Sequence, residues 1–123
     1  MVSVRYIVDD VRVAVGFYTS HLGFDVELDA SPGFAAVSRD NLRLLLSAAA
    51  GPGGASQPMP DGRRPEPGGW NRIQLAVDDL AAELDRLRNT GVRLRSDIVV
   101  GRGGRQILID DPAGNPVELF QAS

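Results

Sequence analysis

Val8-Asp9-Asp10-Val11 returns as Val77-Asp78-Asp79-Leu80, 77 − 8 = 69 residues further along the chain. In both copies the residues before the aspartates alternate between apolar and polar, which is strand periodicity. Val4, Tyr6 and Val8 share one face against Ser3, Arg5 and Ile7; Ile73, Leu75 and Val77 share one against Arg72, Gln74 and Ala76. After the aspartates the period changes. Val11, Ala14, Val15, Tyr18 and Leu22 make one helical stripe, and Leu80, Leu84 and Leu87 make the other. An aspartate just before such a stripe can accept a hydrogen bond from a first-turn amide, so the pairs Asp9-Asp10 and Asp78-Asp79 read as helix caps. Gly23 and Gly91 stand where helix C-terminal stops belong.

Three more strands are expected after each helix. In the first half they run over Phe24 to Leu28, Phe34 to Ser38 and Leu42 to Ser47, with Ser31-Pro32-Gly33 as a turn. In the second they run over Val92 to Val100, Arg105 to Asp110 and Asn115 to Gln121, with Asp111-Pro112-Ala113-Gly114 as a turn. Asn41-Leu42-Arg43-Leu44 also echoes Asn115-Pro116-Val117-Glu118, at an offset of 115 − 41 = 74. A duplicated βαβββ unit follows. The expected class is α+β: one domain over residues 1–123, with modules at 1–47 and 70–123. Between them, eleven of the 22 residues from 48 to 69 are Gly or Pro. A loop of that length inside a domain is functional or a linker, and Trp70 at its end favours a packed lid.

Composition removes several chemistries. The chain has no Cys, and its 13 basic residues are all Arg, so thiol and lysine Schiff-base mechanisms are absent. His21 is the only histidine and falls at a helix C-terminus, where it suits the dipole. Net charge is −3 with scattered arginines, so no basic footprint for nucleic acid is visible. No apolar run is long enough to span a membrane, and no signal peptide is apparent. A cytoplasmic protein is expected.

The candidate site starts from Glu118, which alternation places beside Phe120 on the last strand. An unpaired buried carboxylate is costly, so Glu118 needs water or a partner. Arg72 is the expected partner, reached across a cavity. Strand parity adds Arg5, Gln74, Leu42, Leu44, Leu46 and Phe120 to the inner face, an apolar wall with polar handles that suits a small molecule. Trp70 and Phe34 are candidates to stack on a planar ligand. Gly101-Arg102-Gly103-Gly104-Arg105 lacks the following helix of a phosphate loop and reads as a hairpin turn.

With Phe17-Tyr18, Leu22-Gly23-Phe24, Val77-Asp78-Asp79-Leu80 and Asp111-Pro112-Ala113-Gly114-Asn115-Pro116-Val117-Glu118-Leu119, the chain resembles the vicinal oxygen chelate superfamily of glyoxalases, bleomycin resistance proteins and extradiol dioxygenases. The resemblance implies mixed sheets curled into an incomplete barrel, helices outside, and a homodimer. It also implies four metal-ligand positions, here Ser3, a residue near Leu44, Arg72 and Glu118. Glu118 alone is retained, and a guanidinium at Arg72 opposes a cation, so neither metal nor other cofactor is expected. What the resemblance then implies is a non-catalytic bacterial protein that sequesters a hydrophobic, aromatic antibiotic or natural product. The alternative is a divergent glyoxalase- or dioxygenase-like enzyme using Glu118, with or without a divalent metal. The expected partner is a small molecule, with neither nucleic acid nor membrane.

Overall fold

Both helices begin at their aspartates. In α1 (Val11–His21) the Val13 amide donates to Asp10 Oδ1 at 3.2 Å, and in α2 (Leu80–Arg88) the Ala82 amide donates to Asp79 Oδ1 at 3.1 Å. Gly23 (φ 70°) and Gly91 (φ 80°) follow the helix ends in the left-handed region that a β-carbon disfavours. The computed structural model describes all 123 residues, which divide into two units, Met1–Gly68 and Gly69–Ser123.

The first unit carries β1 (Val2–Val8), β2 (Asp25–Ala30), β3 (Phe34–Arg39) and β4 (Leu42–Ala48) in the order β1-β4-β3-β2. β1 and β4 run parallel, as a helical crossover requires, and the other pairs are antiparallel. Partners across a ladder share a face. Val4, Tyr6 and Val8 therefore lie with Leu44, Leu46, Ala35 and Val37. This face is buried, and α1 packs on β3 and β4 through Val11, Ala14, Phe17 and Tyr18. Arg39, also on this face, donates to the Leu22 carbonyl at the end of α1 at 3.0 Å.

The second unit carries β5 (Ile73–Ala76), β6 (Arg93–Leu94), β7 (Val99–Val100), β8 (Gly104–Asp110) and β9 (Pro116–Ala122). The order is β5-β9-β8-β6, with β7 beside β8, and β5 and β9 are parallel. Ile73, Leu75, Ile107, Ile109, Val117 and Leu119 share the face with Gln121, whose Oε1 accepts from the Leu80 amide of α2 at 2.8 Å. The side chain thus satisfies an amide that the helix itself leaves unpaired. At the β8–β9 turn Asp111 Oδ1 accepts from the amides of Ala113 and Asn115, both at 2.9 Å, while Gly114 takes φ 88°. The expected α+β class with two βαβββ modules is what the structure shows. Each sheet is open at its edges.

Three expectations need correction. The strand expected over Val92 to Val100 is broken in two. The amides of Arg95 and Ser96 both donate to the Leu108 carbonyl, and Ser96 Oγ accepts from the Leu108 amide at 3.0 Å, so a side chain replaces the ladder there. The module expected from residue 70, with alternation from Arg72, opens its first strand only at Ile73, which pairs with Val117, the residue after Pro116. Pro116 has no N–H to extend the ladder. Finally, Leu42, Leu44 and Leu46 lie on the face opposite Arg5, not with it, because Arg5 pairs with Leu45. Val4 pairs with Leu44 as Ile73 pairs with Val117, so the C-terminal strands are offset by 117 − 44 = 73 and not 74. A one-residue slip moves every side chain to the other face.

Within the Gly/Pro-rich stretch a single 3-10 turn forms over Gly54–Ser56, and Ser56 Oγ donates to the Ala48 carbonyl. The Met59 amide donates to the Arg63 carbonyl at 2.8 Å, closing a small loop of its own.

Gly104 opens β8 so close to β9 that a β-carbon there would lie 2.1 Å from the Gln121 carbonyl oxygen. Gly104→Ala is expected to lower the unfolding free energy by roughly 2 kcal/mol or more in urea denaturation. Exposed Gly16, in the middle of α1 with nothing within 4 Å of where a methyl group would stand, is expected to respond oppositely. Gly16→Ala should stabilise by about 0.5–1 kcal/mol in the same measurement.

Candidate functional site

β9 is a central strand, and Glu118 sits in its middle with Gln74 of β5 on one side and Leu108 of β8 on the other. Its surface is only 6% exposed. Oε1 accepts from Arg72, at 3.0 Å from Nε and 2.8 Å from Nη2, and Oε2 accepts from Gln74 Nε2 at 2.6 Å. Both oxygens are therefore engaged by charge-assisted or short hydrogen bonds, which offset the desolvation of a carboxylate at this depth. The cost of a lone buried carboxylate predicts Arg72 as the partner of Glu118, reached across a cavity. The structure does pair them, but as neighbours along one sheet. Phe120 follows on the same face, opposite Gln106 of β8 and half-buried.

A second cluster lies at the end of the Gly/Pro-rich stretch. Arg95 Nε donates to Asp110 Oδ1 at 2.8 Å, Nη1 to the Gly69 carbonyl at 2.8 Å, and Nη2 to the Gly114 carbonyl at 3.0 Å. Its guanidinium carbon stands 4.9 Å from the centroid of the Trp70 ring. Trp70 is 69% exposed, so it is not the buried anchor of a packed lid that its position implied. Arg72 Nη1 reaches the Trp70 carbonyl at 3.4 Å and joins the two clusters. Arg95 was not legible as a functional residue. Its alternation with Val92 and Leu94 put it on a polar face, but which of the arginines meets Asp110 depends on register.

In the first unit Arg5 Nη1 donates to Ser47 Oγ at 2.8 Å, and Phe34 pairs with Ser47 on the same face. Ser47 itself was missed. Leu44 and Leu46 are fully buried on the other face, so they serve the core beneath α1. Elsewhere on this sheet the Arg43 side chain hydrogen-bonds Glu27 and holds its carboxyl below the usual value. Gly101 to Gly104 forms the expected hairpin turn, closed by the Gly101 amide on the Gly104 carbonyl at 2.8 Å.

The sequence profile of the Glyoxalase/Bleomycin resistance protein/Dioxygenase superfamily matches residues 1–119. The chain belongs to this superfamily. Among solved structures, a superfamily member from Sphaerobacter thermophilus is 27% identical, with a TM-score of 0.76 over 97% of this chain and 94% of that one. TnmS3, described as an antibiotic binding protein from Streptomyces sp. CB03234, is 28% identical, with a TM-score of 0.73 over 98% and 93%. A lactoylglutathione lyase from Agrobacterium tumefaciens, 20% identical with a TM-score of 0.74 over 98% and 92%, shares the fold. No curated protein matches the chain.

The superfamily's metal enzymes invite a test of the four ligand positions. The residues do not fit a divalent ion. Ser3 and Leu44 lie on opposite faces of the first unit's sheet. In the second unit Arg72 brings a permanent cation to the one carboxylate and occupies it. No group of three or more His, Cys, Asp or Glu side chains comes together. A hard or borderline cation needs several converging donors.

Arg72→Met leaves Glu118 with Gln74 alone, and is expected to lower the unfolding free energy by roughly 1–3 kcal/mol. Adding Glu118→Leu should recover part of that loss, because both charges are then gone. Urea denaturation of the wild type, both single variants and the double variant gives the coupling.

Proposed function

We propose that this superfamily member binds a planar, hydrophobic aromatic molecule, an antibiotic or related natural product, and does not transform it. The observation that carries this reading is the state of Glu118. Each of its oxygens already accepts from a neighbouring side chain, Oε1 from Arg72 and Oε2 from Gln74 at 2.6 Å, and the carboxylate lies paired to a permanent cation. A pairing of this kind opposes a second positive charge on the carboxylate, whether a proton or a metal ion, which suits neither a general base nor a metal ligand. Glu118 instead fixes the side chains around it, next to an exposed indole. Trp70 offers the stacking surface, and Arg72, Gln74 and Phe120 share the face of Glu118. On the first unit's own sheet, Arg5 and Phe34 are proposed as ligand contacts in their own right. The 28% identity to an antibiotic binding protein supports the same reading. We further infer a cytoplasmic homodimer; no helix here is long and apolar enough to cross a membrane.

Trp70 is the sole tryptophan, so its fluorescence reports the proposed contact directly. Titration with a panel of planar aromatic antibiotics is expected to quench it saturably, and Trp70→Ala should weaken binding, read by calorimetry, by about tenfold. Native mass spectrometry of freshly purified protein gives subunit number and any retained compound together. Turnover of a glyoxal hemithioacetal or a catechol would overturn the reading.

A further inference from the structure

Arg95 makes more directed contacts than the β6 edge needs. One guanidinium spans the end of the Gly/Pro-rich stretch at Gly69, the β8–β9 turn at Gly114, the Asp110 carboxylate and one face of the Trp70 ring. The anchors fall on two separate pieces of backbone, Gly69-Trp70 and the corner from Asp110 to Gly114. Gly68 and Gly69 adopt φ 109° and 90°, so the chain entering Trp70 lacks the stiffness that side chains would give it. The ring is 69% exposed and has no strand of its own to stand on, since β5 begins three residues later at Ile73.

The position of the guanidinium also bears on chemistry. An aromatic face carries negative quadrupolar potential and attracts a cation. At Trp70 one cation is already stacked on the ring, 4.9 Å from its centroid. A second cation on the opposite face would compete for the same polarised electrons and feel the first across the ring. A neutral or anionic ring would not.

We propose that Arg95 is a positioning and specificity-determining residue, which presents the free face of Trp70 to planar rings that are neutral or anionic and disfavours cationic ones. This rests on the binding reading above and narrows its ligand class. The net charge of −3 pulls towards cations, so a preference for anions would have to arise locally.

Two probes of similar shape decide it: anthraquinone sulfonate, a planar anion, and proflavine, a planar cation. Wild-type protein is expected to bind the anion about threefold to tenfold more tightly by calorimetry. In Arg95→Met the two affinities should converge. In the free protein, Arg95→Met should also raise acrylamide quenching of Trp70 and lower its fluorescence anisotropy, readouts that a purely structural role for Arg95 elsewhere would leave alone. Arg95→Lys keeps the charge and loses the planar fork. It should show the same increase in ring mobility, and it serves if the Met variant is unstable in urea. Equal or tighter proflavine binding by the wild type overturns the selectivity. Unchanged quenching and anisotropy in both variants overturn the positioning role. If no planar compound binds the wild type, the binding reading falls and takes the selectivity with it, while the free-protein comparison still decides the positioning role.

Discussion

A carboxylate buried in the middle of a sheet is the constraint around which the second unit is arranged. Glu118 lies on the central strand β9, where desolvation would penalise its charge by several kcal/mol if it stood alone. The neighbouring strand answers it twice. Gln74 is its direct ladder partner, and Arg72, just before β5 begins, reaches the other oxygen. The parallel register of β5 and β9 is therefore tied to a polar contact as well as to the apolar pairs Ile73–Val117 and Leu75–Leu119 behind it. A slip of one residue would bury Glu118 among the leucines facing α2 and leave Arg72 without its partner. Polar groups that must be satisfied can specify register in this way, whatever they add to stability.

The same pairing governs what the site can do. A carboxylate with both oxygens accepting hydrogen bonds from fixed donors is a scaffold element. It orders Arg72, and Arg72 in turn touches the backbone of Trp70. Trp70 is further held through Arg95, which is paired with Asp110. Two ion pairs thus hold the two arginines in place, and an indole stands in the open beside them. A surface of this kind gains affinity from stacking and from desolvating a flat ring, with little rotamer entropy to lose because its side chains are already positioned.

Much of the architecture was legible because it depends on local chemistry. The Val-Asp-Asp pairs announced both helices, and the observed caps are the hydrogen bonds that an aspartate in that place makes. The Asp111 turn was legible for the same reason. The pairing of Arg72 with Glu118 was legible from the cost of a lone carboxylate. What resisted reading depends on register. The motifs that begin with Asn recur at 74 residues, which puts Leu44 and Leu46 with Arg5, whereas the ladders show 73. Arg95 could not be singled out, since the Ser96 interruption that sets its position is a side-chain event inside an otherwise alternating run. Trp70 is expected to pack as part of a lid because it ends the Gly/Pro-rich stretch, yet it is exposed, and the two residues before it are glycines with positive φ.

Correct register also shows how the two copies have diverged on one scaffold. With the N-terminal strands offset by 69 and the C-terminal strands by 73, Ser3 answers to Arg72, Arg5 to Gln74, Leu45 to Glu118 and Ser47 to Phe120. The first unit therefore has its guanidinium on the strand residue itself and an apolar side chain where the carboxylate would stand. Arg5 turns to the hydroxyl of Ser47 two positions along. A neutral acceptor binds a guanidinium less strongly than a carboxylate does, so Arg5, which is exposed, keeps more of its hydrogen-bonding capacity for other partners than Arg72 does. Duplication supplied two similar sheets, and the arginine stands one same-face position apart in them. Just before β5 it is committed to an internal ion pair, whereas on β1 it is exposed and donates to a hydroxyl.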